Sequence, residues 1–183
     1  AAAAELELAI KLDPRLAEAQ LVHGSLLWRR GDLEGAAKAF AAAVALDPRA
    51  ALPRTRLGAV LLERGQVDAA LTELGAATNA DASSAEANHW LGRALLAKGE
   101  NGQAVERLRR AVDLDPSNAL SRLYLGVAQE RVGSVPEAFD SYRAAVAREP
   151  RLVEGYERIG SLYAAQGACK EAVPQLEKAL AVS

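Results

Sequence analysis

Gly24, Gly58, Gly92, Gly126 and Gly160 stand 34 residues apart, and Gly31, Gly65, Gly99, Gly133 and Gly167 recur at the same interval. A fixed period of this length constrains the fold more than any other feature of the chain. Each period has to be one supersecondary unit that buries its apolar face against copies of itself. Three more columns hold the register: Ala36, Ala70, Ala104, Ala138 and Ala172; Phe40, Leu74, Leu108, Tyr142 and Leu176; and Ala43, Ala77, Ala111, Ala145 and Ala179.

Within one period the apolar residues follow a helical wheel. Leu91, Gly92 and Leu95 share one side of 87–98, and Ala104, Leu108 and Ala111 share one side of 103–114, so each unit is expected to be a pair of facing amphipathic helices. Gly99 falls between the two helices, where a left-handed residue closes a helix, and Asp115-Pro116 ends the second one. Ser83 and Glu86 read as a capping box for the helix starting near Ala85. Gly92, Ala104 and Ala111 are small where backbones must approach. Pro53 and Pro136 fall near helix starts, whereas Pro174 sits one turn inside the last helix and predicts a local distortion. With 4% aromatic residues and no Met, Ala and Leu supply most of the packing, which favours an all-α fold.

These residues resemble the tetratricopeptide repeat family, with its 34-residue period and W-x2-L-G-x2-Y…A-x3-F…P pattern. Leu57-Gly58, Leu91-Gly92 and Leu125-Gly126 carry the Leu-Gly pair, and Pro14, Pro48, Pro116 and Pro150 carry the closing proline, replaced once by Ala82. Leu fills most aromatic positions, and Tyr156 and Tyr163 restore them in the last repeat. The resemblance implies an α-solenoid, a right-handed superhelix of tandem helix-turn-helix repeats whose first helices line a concave side. The register places a single array over 1–183: the second helix of a truncated repeat at 1–16, complete repeats at 17–50, 51–84, 85–118 and 119–152, and a nearly complete fifth at 153–183. The start at Ala1, without an initiator Met, is expected of a piece of a longer protein whose uncapped ends continue elsewhere or associate.

Composition narrows function by exclusion. A net charge of −2 with interspersed signs disfavours nucleic acid, which demands a basic excess. No apolar run is long enough for direct membrane insertion. Seventeen Arg against five Lys, with two Ile, suggest a bacterial source, in either cytoplasm or periplasm. No phosphate loop, metal-ligand spacing, cofactor motif or nucleophile elbow is present, so no catalytic, cofactor-binding or metal residue is assigned. His23 shares a column with Leu57, Leu91 and Leu125, and Cys169 shares one with Leu33, Val67 and Val135. Both are expected to be structural, with Cys169 in the core.

The wheel positions opposite the core face of the first helices carry apolar residues that plain solvent exposure would not call for. Leu21, Trp28, Thr55, Leu62, His89, Arg93, Leu96, Leu123, Val127 and Glu130 are the candidate partner-binding residues. Arg56, Trp90, Tyr124 and Arg158 form a flanking column suited to cation–π contact. Family members that clamp a chaperone carboxylate carry a Lys and an Asn one turn apart on a first helix. The pairs here read Leu21/Ser25, Thr55/Ala59, His89/Arg93, Leu123/Val127 and Glu157/Ser161, so that clamp is not expected. The sequence thus predicts a noncatalytic scaffold for a protein or peptide ligand. Self-assembly through the array ends or faces is the alternative, and an inner wall that closes on itself would explain the same apolar residues.

Overall fold

Each hairpin begins where a glycine lets two helices touch. The computed structural model describes residues 16–182, and their helices are α1 (Ala17–Arg29), α2 (Leu33–Leu46), α3 (Ala51–Glu63), α4 (Val67–Ala80), α5 (Ala85–Lys98), α6 (Asn101–Leu114), α7 (Ala119–Arg131), α8 (Val135–Arg148), α9 (Val153–Ala165) and α10 (Cys169–Val182). No strand occurs among the described residues. Odd-numbered helices start every 34 residues from Ala17, and even-numbered ones every 34 residues from Leu33. The stretch read as a preceding second helix lies outside the described residues, apart from Leu16.

The two glycine columns do different work. Gly31, Gly65, Gly99, Gly133 and Gly167 all have φ between +75° and +88°, the left-handed conformation that closes the first helix of each pair. Four members of the other column, Gly24, Gly58, Gly126 and Gly160, sit under an apolar residue of the second helix. A Cβ built on Gly126 would lie 2.5 Å from Tyr142 Cε1, and one on Gly24 would lie 2.6 Å from Phe40 Cε1. Gly58 and Gly160 stand in the same relation to Leu74 and Leu176. Phe40, Leu74, Leu108 and Tyr142 are fully buried.

The helices divide into two compact units, Ala1–Lys98 and Gly99–Ser183. In the first, α1 packs on α2, α2 on α3, α3 on α4 and α4 on α5, and α3 additionally touches α1 and α5. In the second, α6, α7, α8, α9 and α10 pack in chain order. The result is an α-solenoid of tandem helical hairpins.

Two local expectations fail. Ser84 rather than Ser83 caps α5, accepting from Ala87 N at 3.2 Å, because Ser84 is the residue immediately before the first helical residue, Ala85. Cys169 is exposed rather than in the core, as the first residue of α10. Pro174 lies inside α10.

The two glycine roles predict different penalties. Gly126→Ala is expected to lower stability by roughly 1–3 kcal/mol, because the new methyl group meets the Tyr142 ring. Gly133→Ala should cost about 1–2 kcal/mol with no steric contact, through its positive φ alone. Gly75→Ala, with open space in mid-helix, should instead stabilise by about 0.5–1 kcal/mol. Urea midpoints of the three variants test the order, and a destabilised Gly75→Ala would undo it.

Candidate functional site

The first unit collects aromatic and charged side chains from α1, α3 and α5. Trp28, near the end of α1, lies 5.8 Å from Trp90 on α5, centroid to centroid, at 50° between planes. α3 is the helix that touches both α1 and α5. It contributes Glu63, which accepts from Trp28 Nε1 at 2.7 Å, and Arg56, whose guanidinium carbon is 5.8 Å from the centroid of the Trp28 ring. Arg56 also pairs with Glu86 at 3.3 Å, and Arg93 lies 4.3 Å from the centroid of the Trp90 ring. Underneath, Trp28 meets Phe40 edge-on at 6.2 Å, and His89 meets Trp90 edge-on at 5.6 Å.

Both tryptophans are half-buried, each with one part anchored in protein and another in solvent. The indole-to-carboxylate bond is charge-assisted and fixes the Trp28 ring plane. Arg56–Glu86 is about one-third exposed on each side, so it orients the guanidinium more than it stabilises the fold, at roughly 0–1 kcal/mol. The patch offers aromatic faces bordered by both signs of charge.

The expected binding residues divide by burial. Leu21, Trp28, Leu62, Arg93 and Glu130 are half-buried, and Leu21 and Trp28 lean on a core of Ala36, Ala37, Phe40, Leu57 and Val60. Thr55 and Leu123 are 1% exposed, Val127 5%, and His89 and Leu96 6%, so these five do not form the open wall that the helical wheel implies. A first helix in mid-array has neighbours on two further sides, and α3, held between α1 and α5, shows why Thr55 is covered. In the second unit Glu130 is tied back into its own hairpin, accepting from the Tyr142 hydroxyl at 2.6 Å with Arg158 3.9 Å away. Burial, and then that bond to Glu130, push the Tyr142 phenol far above its ordinary range. Of the expected flanking column, Arg56 and Trp90 join the patch in the first unit. Arg158 bonds to Glu154 at 3.3 Å in the second.

The Trp28–Trp90 contact itself has no counterpart among the sequence expectations. The two residues belong to different columns and to hairpins separated by a third, so periodicity carries no signal for it.

Among the described residues no group of three or more His, Cys, Asp or Glu is placed to hold a metal ion, and no helix is long and apolar enough to cross a membrane.

A family model described as tetratricopeptide repeat matches residues 1–51 and 91–153, and a second with that description matches 27–94. Among solved structures, a crystal structure of MamA is 28% identical, covering 87% of this chain and 93% of that one at a TM-score of 0.76. TTC0263, a thermophilic TPR protein of Thermus thermophilus, is 24% identical over 91% of each chain, with a TM-score of 0.76. YrrB, described as a TPR protein with an unusual peptide-binding site, is 23% identical over 97% of this chain and 92% of its own, with a TM-score of 0.74. The last two share the fold. No curated protein matches.

Burial, then the neighbouring Arg93 charge, lowers the His89 pKa from 6.5 to about 4. Above pH 6.5 the imidazole is neutral in folded and unfolded chains alike and contributes nothing to pH dependence. As pH falls from 6.5 to about 4 the unfolded chain takes up the proton first, so stability drops by up to roughly 3 kcal/mol. His89→Gln should remove that part of the acid sensitivity. Parallel melting curves at pH 7 and pH 4.5 check it, and an equal loss of Tm in both proteins would contradict it.

Proposed function

The chain belongs to the tetratricopeptide repeat family, and from that membership we propose that it is a noncatalytic scaffold whose first unit docks a segment of a partner protein on the Trp28–Trp90 patch. Proteins of this family are generally noncatalytic scaffolds that bind peptide or protein partners. The reading is carried by one observation: two half-buried tryptophans from non-adjacent hairpins share a surface with Arg56, Glu63, Glu86 and Arg93. Leu21 and Leu62 supply further apolar area on the same helices. The expected ligand is an amphipathic or extended segment whose apolar side chains lie on the indoles, with charge setting its register.

Trp28 and Trp90 are the only two tryptophans of the chain, so intrinsic fluorescence reports on this patch alone. A photo-crosslinking residue at Glu63, on the patch, should capture the cellular partner, whereas the same residue at Arg109, exposed on α6, should not. A synthetic peptide spanning the crosslinked segment should then shift the tryptophan emission. It should bind at least about tenfold more weakly to Trp28→Ala. Capture at Arg109 alone, or an unchanged affinity in Trp28→Ala, would remove the patch from consideration.

A second reading is favoured by α10. Leu176 is 39% exposed, although Phe40, Leu74, Leu108 and Tyr142 in its column are at 0%, and Val173 on the same helix is 52% exposed. Copies that associate through this face would cover it. Sedimentation velocity should then show mass rising with concentration in the parent and not in a Val173→Lys, Leu176→Lys variant. A parent of monomer mass at every concentration rejects this reading.

A further inference from the structure

The fifth hairpin departs from its repeats at one column, and a cavity lies at that place. In three hairpins the residue at this position closes the preceding turn from the side chain. Arg54 donates through Nε and Nη2 to Pro48 O at 3.1 and 3.0 Å, Asn88 Nδ2 donates to Ala82 O at 3.3 Å, and Arg122 Nη2 donates to Pro116 O at 2.9 Å. The fifth residue of the column is Tyr156, whose ring instead lines a cavity of about 330 Å3 between α8, α9 and α10. Phe139 and Arg143 of α8, Tyr163 of α9, and Gln175 and Lys178 of α10 line it too.

Four other lining positions also differ from the set three periods earlier. The positions 102 residues earlier, three periods back, are Ala37, Ala41, Arg54, Glu73 and Ala76, where Arg54 Nη1 pairs with Glu73 at 2.7 Å. Their counterparts are Phe139, Arg143, Tyr156, Gln175 and Lys178. A balanced ion pair among alanines has become two cations, no carboxylate and two aromatic rings. Lys178 Nζ stands 5.9 Å from the Tyr156 centroid, and the Arg143 guanidinium carbon 5.9 Å from that of Phe139. Phe139 and Tyr163 pack edge to face at 4.9 Å, and both also border a second depression of about 340 Å3 with Val135, Pro136, Asp140 and Gln166. The two depressions share Phe139 and Tyr163, with Arg143 and Lys178 on the first and Asp140 on the second. Leu176 and the charged residues Glu154, Glu157 and Arg158 line a separate depression, the three charged groups on the other side of α9.

We propose that this aromatic, cation-lined cavity of the second unit is a binding site for an acidic linear segment of a partner protein, which inserts one aromatic or long aliphatic side chain and sets its carboxylates against Arg143 and Lys178. A volume of this order takes one large side chain and not a folded element. The rings supply the apolar contact and the two uncompensated cations supply the selection for acid. The site is independent of the tryptophan patch, which lies wholly in the first unit.

The test is an amide NMR titration of the intact chain with an acetylated, amidated pentapeptide of four glutamates around a central phenylalanine. Saturable shifts confined to α8, α9 and α10 are expected. Affinity should fall at least about tenfold in an Arg143→Ala, Lys178→Ala double variant. It should also fall at least about tenfold in Tyr156→Ser, which removes the ring without adding a third cation. Absence of saturable shifts, shifts centred elsewhere, or undiminished binding by the double variant overturns the proposal. Equal binding by the peptide with glycine at its centre also overturns it, because charge alone would then suffice. So does equal binding by N-acetylphenylalanine, which would make the cavity a small-molecule site. Full binding by Tyr156→Ser overturns it as well, and should that variant lower Tm sharply, Tyr156→Gln supplies the loss of the ring with more of its bulk kept.

Discussion

Everything in this chain hangs on how closely two helices can approach inside one hairpin. A methyl group on the first helix would stand well inside van der Waals distance of the Phe40 or Tyr142 ring, so those rings lie against bare backbone. Dispersion and the removal of apolar surface from water reward that proximity, and the absent side chain permits it. The hairpin angle is thereby fixed, and the left-handed glycine at the turn lets the chain leave the first helix in the direction that angle demands. Repetition then needs only a constant spacer.

The sequence makes this much readable because the responsible residues act through the backbone or through a single partner. A glycine at Gly65 or Gly133 means the same thing in every copy. The face of the first helices is less readable because a helical wheel has two sides and a helix in a stack has more. Thr55, Leu123 and Val127 look outward from their own hairpins and are nevertheless covered. The capping serine reads one residue early, at Ser83, since only the fold fixes Ala85 as the first helical residue. Cys169 sits in an apolar column but opens the last described helix, where its neighbours leave it exposed.

Repeats also supply their own control experiment. Arg54, Asn88 and Arg122 solve one hydrogen-bonding problem with two chemistries, which shows that the position tolerates change as long as a donor reaches the turn carbonyl. Tyr156 abandons that solution, and its surroundings change with it. Phe139, Arg143, Gln175 and Lys178 likewise differ from the residues three periods earlier, so the surroundings of Tyr156 are not those of Arg54.

The Trp28–Trp90 contact has a further consequence for how the first unit comes apart. An array in which every hairpin touches only the next behaves like a row of coupled spins and frays one element at a time. A ring pair joining the first hairpin to the third adds a second-neighbour coupling that skips the middle one. The second hairpin cannot open while that bridge stands without stranding α3 between two helices still joined across it. The helices α1 to α5 thereby acquire the character of one cooperative block, its rigidity drawn from two rings at its surface.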